Sequence, residues 1–467
     1  MKMSSAERAR MMLNAPVSRI LPKLAIPTII SMLITSIYNM ADTYFVSQIS
    51  TSASGAVGVV FSVMGIIQAI AFTIGMGSGA SVSQALGAGK QEEAQTLCSV
   101  GFFTAMMTGI VILILGNVFI EPIVGFLGAT ETIAPHAMAY ASYIFYAAPF
   151  MMCSFVMNNH LRFQGLATYG MVGITTGGIL NMILDPIFIF KPGTVLFGFL
   201  TLPFGFGLGT AGAAIATAIS QATSFFILLL QCNLRRDTIS IHPRHFRPTK
   251  KMYWKILYVG FPSLGRQGIA SVSTILLNTA AGVHGDAAIA AMSIVSRFIM
   301  FINSTVIGFG QGFQPVCGFC YGAGKYKRVR EAYTYCMKVS TVILLVLAVI
   351  SFLFAEPIIT VFRRDDPAVI AIGTLALRLQ LCTLPLWGVI VMSNMCTQSI
   401  GYGVRATLLA ISRQGLFLIP LLLVLPGALG LIGIQIAQPL SDVFAFGLSV
   451  VICLGTIKKL KSLPDKA

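Results

Sequence analysis

Charge is what this sequence has least of. Only 10% of its 467 residues are Asp, Glu, Lys or Arg, 56% are hydrophobic, and Asp and Glu together number 15. Water-soluble domains carry about 25% charged residues, so a soluble chain of this make-up could not cover its own surface. Residues 43–89, 94–120, 132–161, 192–234, 298–324, 379–404 and 414–441 contain no charged side chain at all. A membrane-crossing helix needs about 20 mostly apolar residues, so the longer of these stretches each hold two helices around a polar turn, giving about twelve spans. The expected fold is an all-α membrane protein.

Other absences narrow the function. The start, MKMSSAERARMMLNAPVSRI, lacks a short apolar core followed by a small-residue cleavage site; a retained cytoplasmic tail is expected. Neither copy of GAGK has the GxxxxGK[ST] spacing of a phosphate-binding loop. GLGTAG at 207–212 matches GxGxxG but follows no soluble strand, and reads as close packing of membrane helices. Direct use of ATP is not expected, which leaves an ion gradient. The nine cysteines are scattered through apolar stretches, and the lone CxxC of Cys317 and Cys320 has no second pair or nearby His to complete a metal site. Small packing residues are the expected reading. His136, His160 and His284 are isolated, which argues against an intramembrane enzyme.

The net charge of +16 could suggest nucleic acid, but its placement follows topology. Lys2, Arg8, Arg10, Arg19, Lys23, Lys90, Arg162, Arg405, Lys458, Lys459, Lys461 and Lys466 fall on one side of the expected spans. The basic stretch 233–255, with Arg235 and Arg236, and the segment GKYKRVRE join them. Lys191, Arg363 and Arg364 fall on the other side. This is the positive-inside pattern, with both termini and the central loop cytoplasmic. The expected location is the plasma membrane.

The chain also repeats itself. GAGK at 87–90 recurs at 322–325, an offset of 235 that also pairs Pro27 with Pro262, Gly75 with Gly310 and Gly77 with Gly312. EPI at 121–123 recurs at 356–358. One residue of slippage later, Pro149 pairs with Pro385, Asn158 with Asn394 and Gly165 with Gly401. Two six-helix halves follow, 1–232 and 253–467, joined by a basic linker at 233–252. An even number of spans per half gives both the same orientation, related by a pseudo-two-fold axis along the membrane normal. Transporters often place substrate sites between such repeats.

Three acids lie in the apolar stretches: Asp42, Asp185 and Asp442. A charge at the bilayer centre is costly and usually faces a wet cavity with a task there. Asp42 lies 19 residues after Lys23, roughly 28 Å along a helix, and Asp185 lies six residues before Lys191, roughly 9 Å from the outer end. The two therefore reach similar depth in the first half. Tyr38 and Asn39 precede Asp42 by four and three residues, and Asn181 precedes Asp185 by four, so each set shares a helix face. Asn158 and Thr210 are placed to join them. Two carboxylates among Asn, Tyr and Thr can share a proton or hold a hard cation. A helix-end cap beside Pro186 is the plainer explanation of Asp185. Asp442 has only Gln438 and Ser441 for company. The repeat pairs Asp42 with Leu277 and sets Asp185 opposite FLIPLLLVL, so the ion chemistry is expected in the first half.

AIPTIISML, DTYFVSQIS, VSQALGAGKQEEA, NMILDPIFIF and GTAGAAIAT together resemble the multidrug and toxic compound extrusion (MATE) family over essentially the whole chain. The resemblance implies an antiporter exporting amphipathic, often cationic drugs in exchange for protons or sodium ions, with no other cofactor. It places the ion network on Asp42, Asn158, Asn181, Asp185 and Thr210, to which spacing adds Tyr38, and a kinking proline at Pro27. The chain departs from the branch with an acidic site in the second half, where FPSLGRQGIASVSTILLN has no acid and the tenth span has only Arg378. Small lipophilic or cationic molecules and membrane lipids are the expected partners, nucleic acid is not, and the chain is expected to act as a monomer. Met and Phe clusters such as FMMCSFVM (150–157) and RFIMFIN (297–303) are candidates for an adaptable drug cavity. A lipid-linked sugar or polysaccharide flippase of related architecture is the main rival, kept open by Arg266, Arg297 and Arg378.

Overall fold

The computed structural model describes residues 5–196, 200–234, 238–362 and 366–465. Lys2, Arg235, Arg236, Arg363, Arg364 and Lys466 of the charge pattern lie outside them. In chain order the helices are α1 (Ser5–Asn14), α2 (Val17–Ser47), α3 (Thr51–Gly87), α4 (Gln91–Val118), α5 (Ile120–Phe126), α6 (Ala134–Phe163), α7 (Ala167–Ile189) and α8 (Gly209–Asn233). They continue with α9 (Lys250–Gly282), α10 (Asp286–Gly322), α11 (Tyr326–Leu353), α12 (Ala355–Phe362), α13 (Pro367–Thr383) and α14 (Trp387–Ser399). The last are α15 (Gly403–Ile411), α16 (Ile419–Leu429) and α17 (Leu431–Lys461), with a π-helical turn at Ser412–Leu418 between α15 and α16. Among the described residues, eleven stretches are long and apolar enough to cross a membrane, with α13 and α14 counted as one and α15 and α16 as one. The helix α9 is 33 residues long but carries Lys250, Lys251, Lys255 and Arg266, which lower its hydropathy. Among the described residues the one departure from all-α is a two-stranded antiparallel hairpin, β1 (Val195–Leu196) with β2 (Leu200–Thr201).

By contacts the chain forms two compact units. The first holds residues 1–5, 30–82 and 91–257. Its centre is α6, apolar on nearly every face and therefore buried all round. Phe102, Tyr140, Met152, Val156 and Leu228 meet in its core. Met151, Met152 and Met157 of the FMMCSFVM cluster belong to this core, so they serve packing and not a cavity wall. On α7 the buried positions Gly173, Gly177, Asn181, Asp185 and Ile189 recur every four residues, one stripe along one face. The glycines of that stripe let α8 come close: the Ser224 hydroxyl donates to the Gly173 carbonyl at 3.1 Å. Outward from the same seam, a Cβ on Gly212 would stand 2.4 Å from the Phe188 carbonyl oxygen, so GLGTAG is a packing contact between helix ends. The basic linker is built onto this unit. The Ile239 amide donates to Gln164 Oε1 at 2.9 Å and the His242 amide to Ser99 Oγ at 3.3 Å.

The second unit holds residues 6–29, 83–90 and 258–467. A division at the linker alone would assign 6–29 and 83–90 to the first half; their contacts assign them here. The cause is close helix approach. Gly308 and Gly312 form a GxxxG face on α10, and a Cβ on Gly312 would stand 2.4 Å from Ala25 Cα. The Thr28 hydroxyl donates to the Gly308 carbonyl at 2.6 Å. Pro27 is therefore seated in the second unit, one residue from that bond. The unit's core gathers Met292, Val295, Leu377, Leu381, Trp387 and Ile434. Cys317 and Cys320 turn to different neighbours, the Cys396 sulfur at 3.7 Å and the Met12 carbonyl at 3.5 Å, which fits packing.

Candidate functional site

Within the first unit, α2 and α7 bring two acids into the protein interior. Asp42 is 8% exposed and Asp185 is fully buried. Each uses one carboxylate oxygen and leaves the other without a donor. The Tyr140 hydroxyl donates to Asp42 Oδ2 at 3.0 Å, and Asn181 Nδ2 donates to Asp185 Oδ1 at 3.0 Å. Asp42 Oδ1, Asp185 Oδ2 and Asn181 Oδ1 are buried with no hydrogen-bond partner. The acids are close enough to interact electrostatically, and Tyr140 faces both. Thr217 accepts from Asn181 Nδ2 at 3.3 Å. Each acid thus has its own polar partners, Tyr140 at Asp42 and Asn181 with Thr217 at Asp185.

Beside it lies a cavity of about 10 Å³, lined by Thr35, Tyr38, Asn181, Thr217, Ser220 and Gln221 among others. That volume holds about one water-sized sphere. Buried oxygens that lack donors cost free energy unless something satisfies them.

Of the residues expected here, Asp42, Asp185, Asn181 and Tyr38 come together. Asn158 does not: its amide nitrogen packs at Gly170, at the other end of α7. Fifteen residues separate Gly170 from Asp185, about 22 Å along the helix. Thr210 sits further out on α8, 3.5 Å from His136 Nδ1, and Thr217, two turns on, takes the expected place. Tyr140 and Thr217 were not foreseen. Thr217, Ser220, Gln221 and Ser224 carry a usable signal, polar positions at i, i+3, i+4 and i+7 on one face. Tyr140 carries none, since nothing in its own helix marks it.

The second unit holds the third acid, in far richer company than its own helix provides. Asp442 Oδ1 accepts from Arg413 Nε at 2.7 Å and Gln438 Nε2 at 3.0 Å. Asp442 Oδ2 accepts from Trp387 Nε1 at 2.9 Å and the Thr383 hydroxyl at 3.0 Å. Arg413 lies over the Trp387 ring, 3.5 Å from its centroid. Both oxygens are filled and the charge is matched, the reverse of the Asp42 and Asp185 pair. The π-helical turn aims Arg413 at Asp442. The carbonyls of Arg413 and Gln414 accept from Ser441 on α17 and Ser273 on α9 respectively. Of the three arginines that favoured a flippase, Arg297 is exposed, Arg378 lies over the Phe352 ring, and Arg266 lines a cavity of its own.

Known proteins share this architecture. A family model described as MatE matches residues 27–187 and again 262–424. The multidrug export protein MepA of Staphylococcus saprophyticus is 27% identical over 411 residues, 88% of this chain and 87% of that protein. A crystal structure of a MATE protein in its straight conformation superposes with a TM-score of 0.89 at 26% identity, covering 97% of this chain and 99% of that one. A MATE crystal structure in the bent conformation gives 0.87 at 26% identity, covering 97% and 98%. The two matches begin at 27 and 262, the 235-residue offset of the internal repeat. With both halves matched and the whole fold shared, the chain belongs to the MATE family of multi-pass membrane transporters and is not an enzyme.

Proposed function

We propose that this protein exports chemically diverse amphiphiles, cationic ones foremost, in exchange for protons or sodium ions, with both termini in the cytoplasm. The observation that carries the reading is the group of buried oxygens on Asp42, Asp185 and Asn181 that no protein donor reaches. The MepA relative, called a multidrug export protein, supports the drug side of the exchange. The clustering of Lys and Arg on one side of the spans supports the orientation.

The chemistry follows from the contacts. Without an ion, the two carboxylates hold negative charge that favours a cationic amphiphile. A proton or sodium ion taken up between them cancels that charge, and Asn181, held by Thr217, offers its free oxygen to the same ion. Tyr140 keeps Asp42 oriented through the exchange. Pro27 removes one backbone hydrogen bond from α2 and marks where that helix can bend. Asp42 and Pro27 share α2, so ion binding at one end can be linked to bending at the other.

The test is export from everted membrane vesicles under an imposed pH gradient or, separately, an imposed sodium gradient. Export driven by one gradient identifies the ion. Asp42→Asn and Asp185→Asn keep side-chain volume and remove the titratable charge, so each should abolish coupled export at wild-type expression. Export by both variants at the wild-type rate would sink the ion site.

A further inference from the structure

Arg266 is a cation in an apolar unit with no carboxylate beside it among the described residues. Its guanidinium has one polar neighbour, Asn394 Oδ1 at 3.5 Å, a distance at the limit of a hydrogen bond. The Asn394 amide nitrogen is engaged elsewhere, donating to the Ala406 carbonyl at 2.7 Å, which fixes its oxygen toward Arg266. Arg413, the second cation nearby, is already neutralised by Asp442. One net positive charge therefore remains, set against the membrane-crossing helices α10, α14 and α15, and a charge in such apolar surroundings marks a functional site.

That charge lines a partly open cavity of about 110 Å³ between α9, α10, α14, α15 and the π-helical turn, all within the second unit. Asn303, Asn394 and Gln414 supply further polar groups, while Ile307, Val391 and Leu409 supply apolar wall. Drug-sized ligands need roughly 300 Å³ or more. The space suits the charged head of an amphiphile with its first few carbons, and not a whole drug.

We propose that this cavity is an anion subsite: Arg266 receives the carboxylate of exported amphiphiles that carry one, zwitterionic aromatic molecules in particular. The guanidinium fork matches a carboxylate in a way an ammonium cannot. A purely cationic amphiphile has no group for this cavity; one that carries a carboxylate gains an anchor here. The inference rests on the efflux reading above and assigns Arg266 as a specificity-determining residue within it.

Rhodamine B carries a free carboxylate, and its ethyl ester is a cation of nearly the same shape. Fluorescence polarisation on purified protein in nanodiscs would give the affinity for each. Arg266→Gln should weaken rhodamine B about tenfold relative to the ester, the weight of one charge-assisted hydrogen bond. Arg266→Lys should recover part of that loss, and ester binding serves as the control for folding. Equal effects on both dyes, no effect on either, or no binding of rhodamine B by the wild-type protein would overturn the proposal. If rising phosphatidylglycerol content displaced rhodamine B from the wild-type protein but not from Arg266→Gln, a lipid headgroup would replace the exported substrate as occupant, also against the proposal. Export of the ester from vesicles reads the efflux proposal separately, so the two can fail independently.

Discussion

Replacing Asp442 by Asn should destabilise the second unit without touching ion coupling. Four donors converge on its two oxygens from Arg413, Gln438, Trp387 and Thr383, at 2.7–3.0 Å. Asn removes the charge opposite Arg413 and turns one acceptor into a donor facing other donors. Breaking a buried ion pair from one side costs about 3–5 kcal/mol. The Arg413 side chain keeps 16% exposure and its stacking on Trp387, so the lower end, about 3 kcal/mol, is expected. That is roughly a hundredfold in the folded-to-unfolded ratio. Replacing both partners, Arg413→Met with Asp442→Leu, should regain most of the loss, because two apolar groups leave no charge stranded. Unfolding in mixed detergent micelles, followed by intrinsic fluorescence, measures both the single and the double variants. If Asp442→Asn shifts stability by less than about 1 kcal/mol while export loses its dependence on the ion gradient, Asp442 is a coupling acid and the reasoning fails.

Other outcomes can be checked beside it. Tyr140→Phe removes the donor to Asp42 and should slow gradient-driven export several-fold in vesicles while sparing expression; an unchanged rate would remove Tyr140 from the site. Asn158→Ala should leave export within about twofold of wild type, since its amide packs at Gly170, far from the acids. Pro27→Ala should restore a backbone bond in α2 and lower turnover more than thermal stability, read by export rate and melting in parallel. Gly312→Leu would drive a side chain into Ala25 and should cost about 1–3 kcal/mol or more of stability, seen as lower yield and melting temperature.

Much of this was legible from residue spacing, because a helix fixes which of its own residues share a face. Asn181 with Asp185, and Tyr38 with Asp42, needed nothing more. Asn158 and Thr210 went astray because their fit depends on the relative height of neighbouring helices, which spacing within one helix does not set. On α7 and α8 that height follows from Gly173 and Gly177 admitting Ser224, and it carries Thr217, not Thr210, to Asn181. Asp442 was harder still, since three of its four partners lie outside its helix, as far away in sequence as Thr383. The seating of α2 against α10 through Gly308 and Gly312 was likewise invisible, although the GxxxG face was there to be noticed.

The π-helical turn at 412–418 changes what the helix beyond it can face. Such a turn takes one more residue than an α-helical turn. The family matches span 27–187 and 262–424, so the second is two residues longer than the first. The corresponding stretch of the first half, α7, runs as α-helix throughout. After the extra residue every later side chain is rotated by about 100° about the helix axis. One added residue can thus turn the face that a helix presents beyond it, without any change in the number or order of the helices.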